Sequence, residues 1–480
     1  MNRSHILIFS LLFYIILSEN LFIPFKTRIN LDEMNTDNVM EMMINNQITV
    51  DFLVGSNNQA IEMNLKIQNA STYILSYTCP ENEYAIKFYD NESTTINVID
   101  ENDRYYMHGF SYATHVNDTA IILLKDGKKS NIIDLRFMLA TKLDYNTQKN
   151  VSGVIGLILT NEHKITKDTD FINQMEENKI VDAKIFMLDY KDFYNGIFYV
   201  GKYYHEYNKN YNKNDLIKIY AGRASSTYKS WEMEINKVLS GNEEVQGYTY
   251  LQLFYELGII GAPIQYYNHT KNNFFKEYLE KGICEEKKGI ETAAVFQRYE
   301  YIVCETKDFK VESFPDLKFF TAENEYNYSL SYDKLFYKFK NKTYFLVIHP
   351  LLSITYEYWY IGKPMFLKYK FFFDKDSKTI GFYNVNETDQ DEEKEKEEEK
   401  DDNDKKGNNN NENNNGKEKN DMTLLYIIII IVLILVIIGI LFYFIRRIMK
   451  SRKIRANELE EDVDYTPYKE NDVNKDENIN

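Results

Sequence analysis

The chain has 480 residues, 44% of them hydrophobic and 15% aromatic, which is enough to bury a body of two lobes and still carry appendages. Its formal net charge of −16 argues against a nucleic-acid-binding surface. Tyr and Phe, at 40 and 30 residues, favour strands and buried faces over a polar, unfolded chain.

The N-terminus places Arg3 before an almost unbroken apolar run, Ile6 to Leu17, and then Ser18-Glu19-Asn20. A short basic region ahead of about a dozen apolar residues reads as a signal peptide over 1–19. An uncleaved anchor is the alternative, disfavoured because a bilayer needs about 20 apolar residues. Residues 20–46 form an N-terminal segment, leaving little room for a pro-segment.

From Gln47 to Asn386 short apolar runs alternate with turns, among them Ile48 to Val54, Ile121 to Leu124 and Ile185 to Leu188. The clearest helical segments are Asp170 to Asn178 and Lys271 to Lys281, so the body is mostly β with short helices. N-x-[ST] triplets fall at Asn69, Asn91, Asn117, Asn150, Asn268, Asn327, Asn341 and Asn386, all ahead of the long apolar run near the C-terminus. Each is a weak signal in an Asn-rich chain, and together they agree with secretion.

The body ends in Tyr358-Trp359-Tyr360-Ile361-Gly362-Lys363-Pro364-Met365-Phe366-Leu367, then Phe371-Phe372-Phe373-Asp374 and Ile380-Gly381-Phe382. This reads as a strand, a Gly turn, a short amphipathic turn, an aromatic strand, a charged hairpin and a last strand. Residues 387–421 are a run of Asp, Glu, Lys and Asn that cannot bury apolar area, hence a solvated stalk, with an acidic interaction tail as the alternative. Met422 to Ile445 carries no charge until its end is met by Arg446, Arg447, Lys450 and Arg452. It predicts one transmembrane helix, rising about 36 Å against a hydrocarbon core of about 30 Å, with residues 446–480 as a cytoplasmic tail. The ectodomain is then luminal or extracellular, as in a single-pass type I membrane protein.

The C-terminal stretch resembles the last part of pepsin-like aspartic peptidases, W-x-[IL]-G-x-x-F-L-x-x-[YF] followed by F-D-x-x-x-x-x-[IV]-G-[FL]. Other landmarks of that family follow in order. Val54-Gly55-Ser56-Asn57-Asn58-Gln59 resembles the turn before the first catalytic loop, and Tyr106 to Thr119 the flap hairpin, with Tyr106 as the flap tyrosine. Gly153-Val154-Ile155-Gly156-Leu157 resembles G-I-L-G-L, with the helix at Phe171 behind it. Gly196 to Gly201 and Trp231 to Ile235 resemble two further strands.

The resemblance implies a two-lobed, mostly β pepsin-like fold, with lobes over 47–188 and 189–386. It also implies a disulfide between Cys284 and Cys304, closing a loop of about 20 residues and contributing about 3 kcal/mol. Cys79 is odd in number and is expected to be a buried thiol.

Aspartic peptidases hold two carboxylates that share one proton, each in a D-[TS]-G loop. No such triplet occurs in this chain, and no aspartate lies between Asp51 and Asp90 or between Asp215 and Asp308. Alignment puts Lys66 or, in a shifted register, Gln68 at the first catalytic position, and Phe254 at the second. Glu256 is near, but a lone Glu in another register does not rebuild a symmetric dyad. The histidines show no metal-ligand spacing, and no nucleophile elbow is present, so no metal and no cofactor is expected.

The first expectation is therefore a non-catalytic peptidase homologue whose interlobe cleft binds an extended peptide or protein partner. A membrane-bound acid endopeptidase is the alternative that family membership alone suggests. A surface coat or adhesion protein with an empty cleft is the third.

Overall fold

The computed structural model describes residues 20–383, apart from 30, 68, 70, 81–85, 101–109, 144–151, 162–166, 207, 223–227, 291–295, 297, 324–325 and 352–357. The signal run, the stalk, the apolar run 422–445 and the tail lie outside the described residues, as do Gln68 and Tyr106. No helix among the described residues is long and apolar enough to cross a membrane.

The described chain is mostly β, built around a 13-stranded and a 12-stranded sheet. Alternation of buried and exposed side chains forms the strands: in Leu21–Thr27 the residues Leu21, Ile23 and Phe25 point inward, and in Thr249–Leu253 the residues Leu251 and Leu253 do so. The expected strand over Ile48–Val54 is present, the run Ile185 to Leu188 lies in a strand Ile185–Tyr190, and the helical segment Asp170 to Asn178 holds a helix Phe171–Glu177. Asp170 caps that helix through its carboxylate, which accepts from Asn173 N at 3.1 Å. The helix expected from Lys271 begins earlier, at Ile264, and runs with a π-turn at Lys271–Phe275 to Glu280. Tyr266, Tyr267, Thr270 and Phe275 form the buried stripe that holds it against the sheet.

The two halves repeat one pairing pattern. In the first, strand Gln59–Lys66 runs parallel to Gly153–Gly156, with Leu65 opposite Ile155 and Lys66 opposite Gly156. Tyr73–Leu75 then lies antiparallel to Gly153–Gly156, Tyr73 facing Val154, and parallel to Ile133–Leu143, Tyr73 facing Met138. In the second, Thr249–Leu253 runs parallel to Tyr358–Ile361, with Leu253 opposite Ile361. Ile260–Gly261 lies antiparallel to Tyr358–Ile361, Gly261 facing Tyr360, and parallel to Val347–Pro350, Gly261 facing Ile348.

Matched by register, Leu65 is the twin of Leu253 and Tyr73 of Gly261, and the connecting loops are equal in length. Lys66 and Phe254 are thus twin positions.

The last strands cross back. Phe372–Asp374 pairs with Ile185–Tyr190 and Thr379–Tyr383 with Leu216–Tyr220, all within the 13-stranded sheet. The C-terminal stretch is therefore shared: Trp359 belongs to the 12-stranded sheet and Phe372 to the other. Phe373 stacks on Phe186 at 4.9 Å between ring centroids and meets Trp231 edge-on at 5.0 Å, knitting the halves through one aromatic core. Cys284 and Cys304 face each other across strands Cys284–Ile290 and Arg298–Glu305 and are bridged. Cys79 is buried.

Candidate functional site

The two twin loops share a backbone device. Asn69 N donates to Lys66 O at 3.3 Å, and at the equivalent place Leu257 N donates to Phe254 O at 3.0 Å. Each loop is pressed onto a glycine of the neighbouring strand. A Cβ on Gly156 would lie 2.7 Å from Asn69 O and Ser71 N, and one on Gly362 would lie 2.2 Å from Leu257 O and Ile259 O. Only a residue without a side chain lets strand and loop approach so closely. The two tryptophans of the second half are satisfied indoors: Trp231 Nε1 donates to Leu157 O of the first half and Trp359 Nε1 to Gln246 Oε1, both at 2.8 Å.

The side chains in the loops differ. Gln59–Lys66 turns Ile61, Met63 and Leu65 into the core, which leaves Glu62, Asn64 and Lys66 on the opposite face. Asn64 is 1% exposed, and neither side-chain atom has a hydrogen-bond partner among the described residues. Lys66 is closely surrounded by protein yet keeps some accessible surface.

The second loop is apolar: Phe254, Tyr255, Leu257 and Ile259 are all buried. Glu256 is the exception, 4% exposed, with Oε2 lacking a partner. Tyr190 OH holds this loop by donating to Tyr255 O at 2.6 Å, and Lys363 N donates to Leu257 O at 2.7 Å.

Lys66 and Glu256 come from different halves and feel each other's charge. Burial pushes the Lys66 ammonium below its ordinary value of 10.5, and Glu256 partly restores it. Burial raises the Glu256 carboxyl above 4.5, and Lys66 opposes the rise.

They make no direct ion pair among the described contacts, whereas two buried lysines have direct partners. Lys375 Nζ pairs directly with Asp170. Lys363 Nζ donates to Phe193 O at 2.9 Å and lies over the Phe193 ring, 4.7 Å from its centroid.

The N-terminal segment seals the second loop, a role the sequence does not announce. Its helix Val39–Ile44 buries Val39, Met40, Met43 and Ile44 in one cluster with Phe254, Leu257, Ile259 and Ile348. Met43 O accepts from Gly258 N at 2.8 Å, and Thr36 O accepts from Tyr344 OH at 2.6 Å.

Tyr106 lies outside the described residues. The strands that flank it, Asn97–Asp100 and Phe110–Ile122, are paired, Asn97 with Asn117 and Asp100 with His115. Of the glycosylation candidates, Asn91, Asn268, Asn327 and Asn341 are exposed. Asn117 is half-buried in a strand, its amide donating to Asp134 at 2.7 Å, and Asn69 is half-buried in the first loop. Asn150 and Asn386 lie outside the described residues. No group of three His, Cys, Asp or Glu side chains among the described residues is placed to hold a metal.

Chemically, the described residues of the two loops and the strands leading into them offer the Lys66 ammonium, the Glu256 carboxyl group and the Asn64 amide, with no pair of like carboxylates sharing a proton among them. No protein-family model and no curated protein matches this sequence.

Proposed function

We propose that the chain is a type I membrane glycoprotein whose ectodomain has a pepsin-like two-lobed fold without peptidase chemistry. In this reading the lobes span 47–188 and 189–386, and the cleft between them holds an extended peptide or a partner's extended segment. The acidic, Asn-rich stalk and one C-terminal helix then carry the body at a luminal or cell surface.

The observation that carries the reading is the twin-loop register, in which Lys66 and Phe254 occupy corresponding positions. An acid peptidase of this family needs a carboxylate at both. A lysine holds its proton where a carboxylate must give one up, and a phenyl ring has none to exchange. Glu256 has lysine as its charge partner, so it is not half of a like-charged dyad.

The test is to incubate the purified full-length protein, in detergent, with an unfolded protein substrate from pH 3 to pH 7, with and without pepstatin. No cleavage above a buffer control is expected. Acid-dependent, pepstatin-sensitive cleavage would establish the membrane-bound endopeptidase instead.

A further inference from the structure

Three consecutive residues, Tyr203, Tyr204 and His205, reach from one short segment to three different strands. Tyr203 OH donates to Asp374 Oδ2 at 2.6 Å, Tyr204 OH donates to Asp189 Oδ2 at 2.5 Å, and the His205 ring meets Tyr383 OH. Asp189 belongs to Ile185–Tyr190, Asp374 to Phe372–Asp374 and Tyr383 to Thr379–Tyr383. The segment therefore straps the returning C-terminal strands to a strand of the first half. Lysines brace two of the anchors: Lys218 Nζ lies 3.3 Å from Asp374 Oδ2, and Lys370 Nζ 3.7 Å from Asp189 Oδ1.

Of these anchors only an imidazole ordinarily changes charge between pH 5 and pH 7. Its protonation state is legible from the bonding. Tyr383 OH accepts from His205 N at 3.1 Å and lies 2.6 Å from His205 Nδ1. With the backbone N–H already on the phenolic oxygen, the hydroxyl proton goes to Nδ1, which must then be a bare acceptor. A ring protonated on both nitrogens sets a second N–H against that oxygen and leaves the hydroxyl proton without its acceptor.

The surroundings oppose such a proton as well. His205 stacks on the Tyr203 ring at 5.6 Å between centroids, and the same ring carries the Lys218 ammonium 4.6 Å from its centroid. Burial holds the His205 ring below its ordinary value of 6.5; the Glu206 carboxylate works against this, and Lys213 and Lys218 reinforce it. Tyr211, edge-on to Tyr383 at 4.9 Å, completes the surroundings without adding charge.

We propose that this strap is an acid-opened latch: when His205 takes up a proton, the segment releases Tyr383 while Tyr203 and Tyr204 keep their carboxylates. What loosens is the end of Thr379–Tyr383, the last strand of the body. The sign follows from the lowered folded value: the tie is complete above pH 6.5 and is lost as pH falls from there through the folded value. The latch is closed in a neutral compartment and opens in an acidic one, whatever the body binds.

The experiment compares the full-length protein in detergent at pH 7 and pH 5 by hydrogen–deuterium exchange and mass spectrometry, with rates corrected for the chemical pH dependence of exchange. Protection of the amides in Thr379–Tyr383 is expected to fall at least about fivefold at pH 5, while Tyr358–Ile361 in the other sheet changes by less than about twofold. His205→Gln, whose amide oxygen can accept from Tyr383 OH at either pH, is expected to remove the difference. Tyr383→Phe is expected to show the pH 5 behaviour at both.

Exchange of the His205 ring C2 proton, followed by mass in the unsubstituted protein, reads the titration directly and needs no variant. A midpoint below 6.5 is expected. Equal protection of Thr379–Tyr383 at the two pH values overturns the latch. So does an acid-dependent loss that survives in His205→Gln, or a ring midpoint at or above 6.5.

Discussion

The two twin loops share a backbone hydrogen bond and a facing glycine, and differ in their side chains. Residues 66–72 present Lys66, Asn69, Ser71 and Thr72 and leave neighbouring Asn64 unsatisfied, while 254–260 present Phe254, Leu257 and Ile259 beneath a helix from the chain's own N-terminus. What the loops share is the i to i+3 hydrogen bond and the glycine opposite it. The shared hydrogen bond and close approach seat both loops while their side chains differ. A catalytic dyad requires both loops to carry the same group, whereas a fold requires only that both be seated.

The largest effect that would break this comparison is at the seats themselves. Gly362→Ala is expected to cost at least about 4 kcal/mol or to prevent folding, because its Cβ would meet two carbonyl oxygens at 2.2 Å. Gly156→Ala, at 2.7 Å, should cost less, and urea denaturation of the two variants side by side checks the order.

Met43→Ala removes the seal on the second loop only. About 3 kcal/mol of lost stability is expected from a fully buried methionine, with no matching effect available in the first half. Opening the disulfide by Cys284→Ser with Cys304→Ser should also cost about 3 kcal/mol, read from the denaturation midpoint under non-reducing conditions.

The smallest effect separates a coupled Lys66–Glu256 pair from two independent groups. Lys66→Met and Glu256→Gln should be non-additive by about 1 kcal/mol in a double-mutant cycle.

The pair also sets a pH signature. Because its folded value is raised, Glu256 contributes stability that is full below its ordinary value of 4.5 and lost as pH rises through the folded value. Lys66 has the reverse sense: its folded value is lowered, so the penalty of its burial is relieved as pH rises from that value toward 10.5. Glu256→Gln should flatten the acid-side slope of stability against pH, and an unaltered slope would show that Glu256 does not titrate as placed.

Much of this framework was legible in the chain. Strands such as Ile48–Val54 and Tyr358–Ile361 announce themselves by alternation and aromatic content, and the helix at Phe171 by its Asp170 cap. The disulfide expected from the resemblance is present, since Cys284 and Cys304 lie opposite in paired strands.

The seal over the second loop was not legible. Val39–Ile44 is six residues without a side-chain cap, too short for a helical period to declare itself, and its purpose lies in contacts with residues more than 200 positions away. Glu256 was visible as a nearby acid, but its partner was not, because that partner comes from the other half of the chain. The early start of the helix at Ile264 was hidden for a similar reason: the residues that hold its first turns, Tyr266, Tyr267 and Thr270, are recognisable as a buried stripe only in the folded chain.

The returning strands at the chain's end have a consequence for how the protein is made. Phe372–Asp374 and Thr379–Tyr383 complete the sheet that begins at Leu21, and Leu216–Tyr220 is reached only through them. A ribosome that has delivered the first half has therefore delivered a sheet with an open side, exposing the flank of Ile185–Tyr190 until residue 374 has emerged. Independent folding of the first half during synthesis is then disfavoured, and the final sheet closes late, over long sequence separations. Truncations before Tyr383 should accordingly yield aggregated chains rather than a smaller folded body, a burden that falls on chaperones rather than on any binding site.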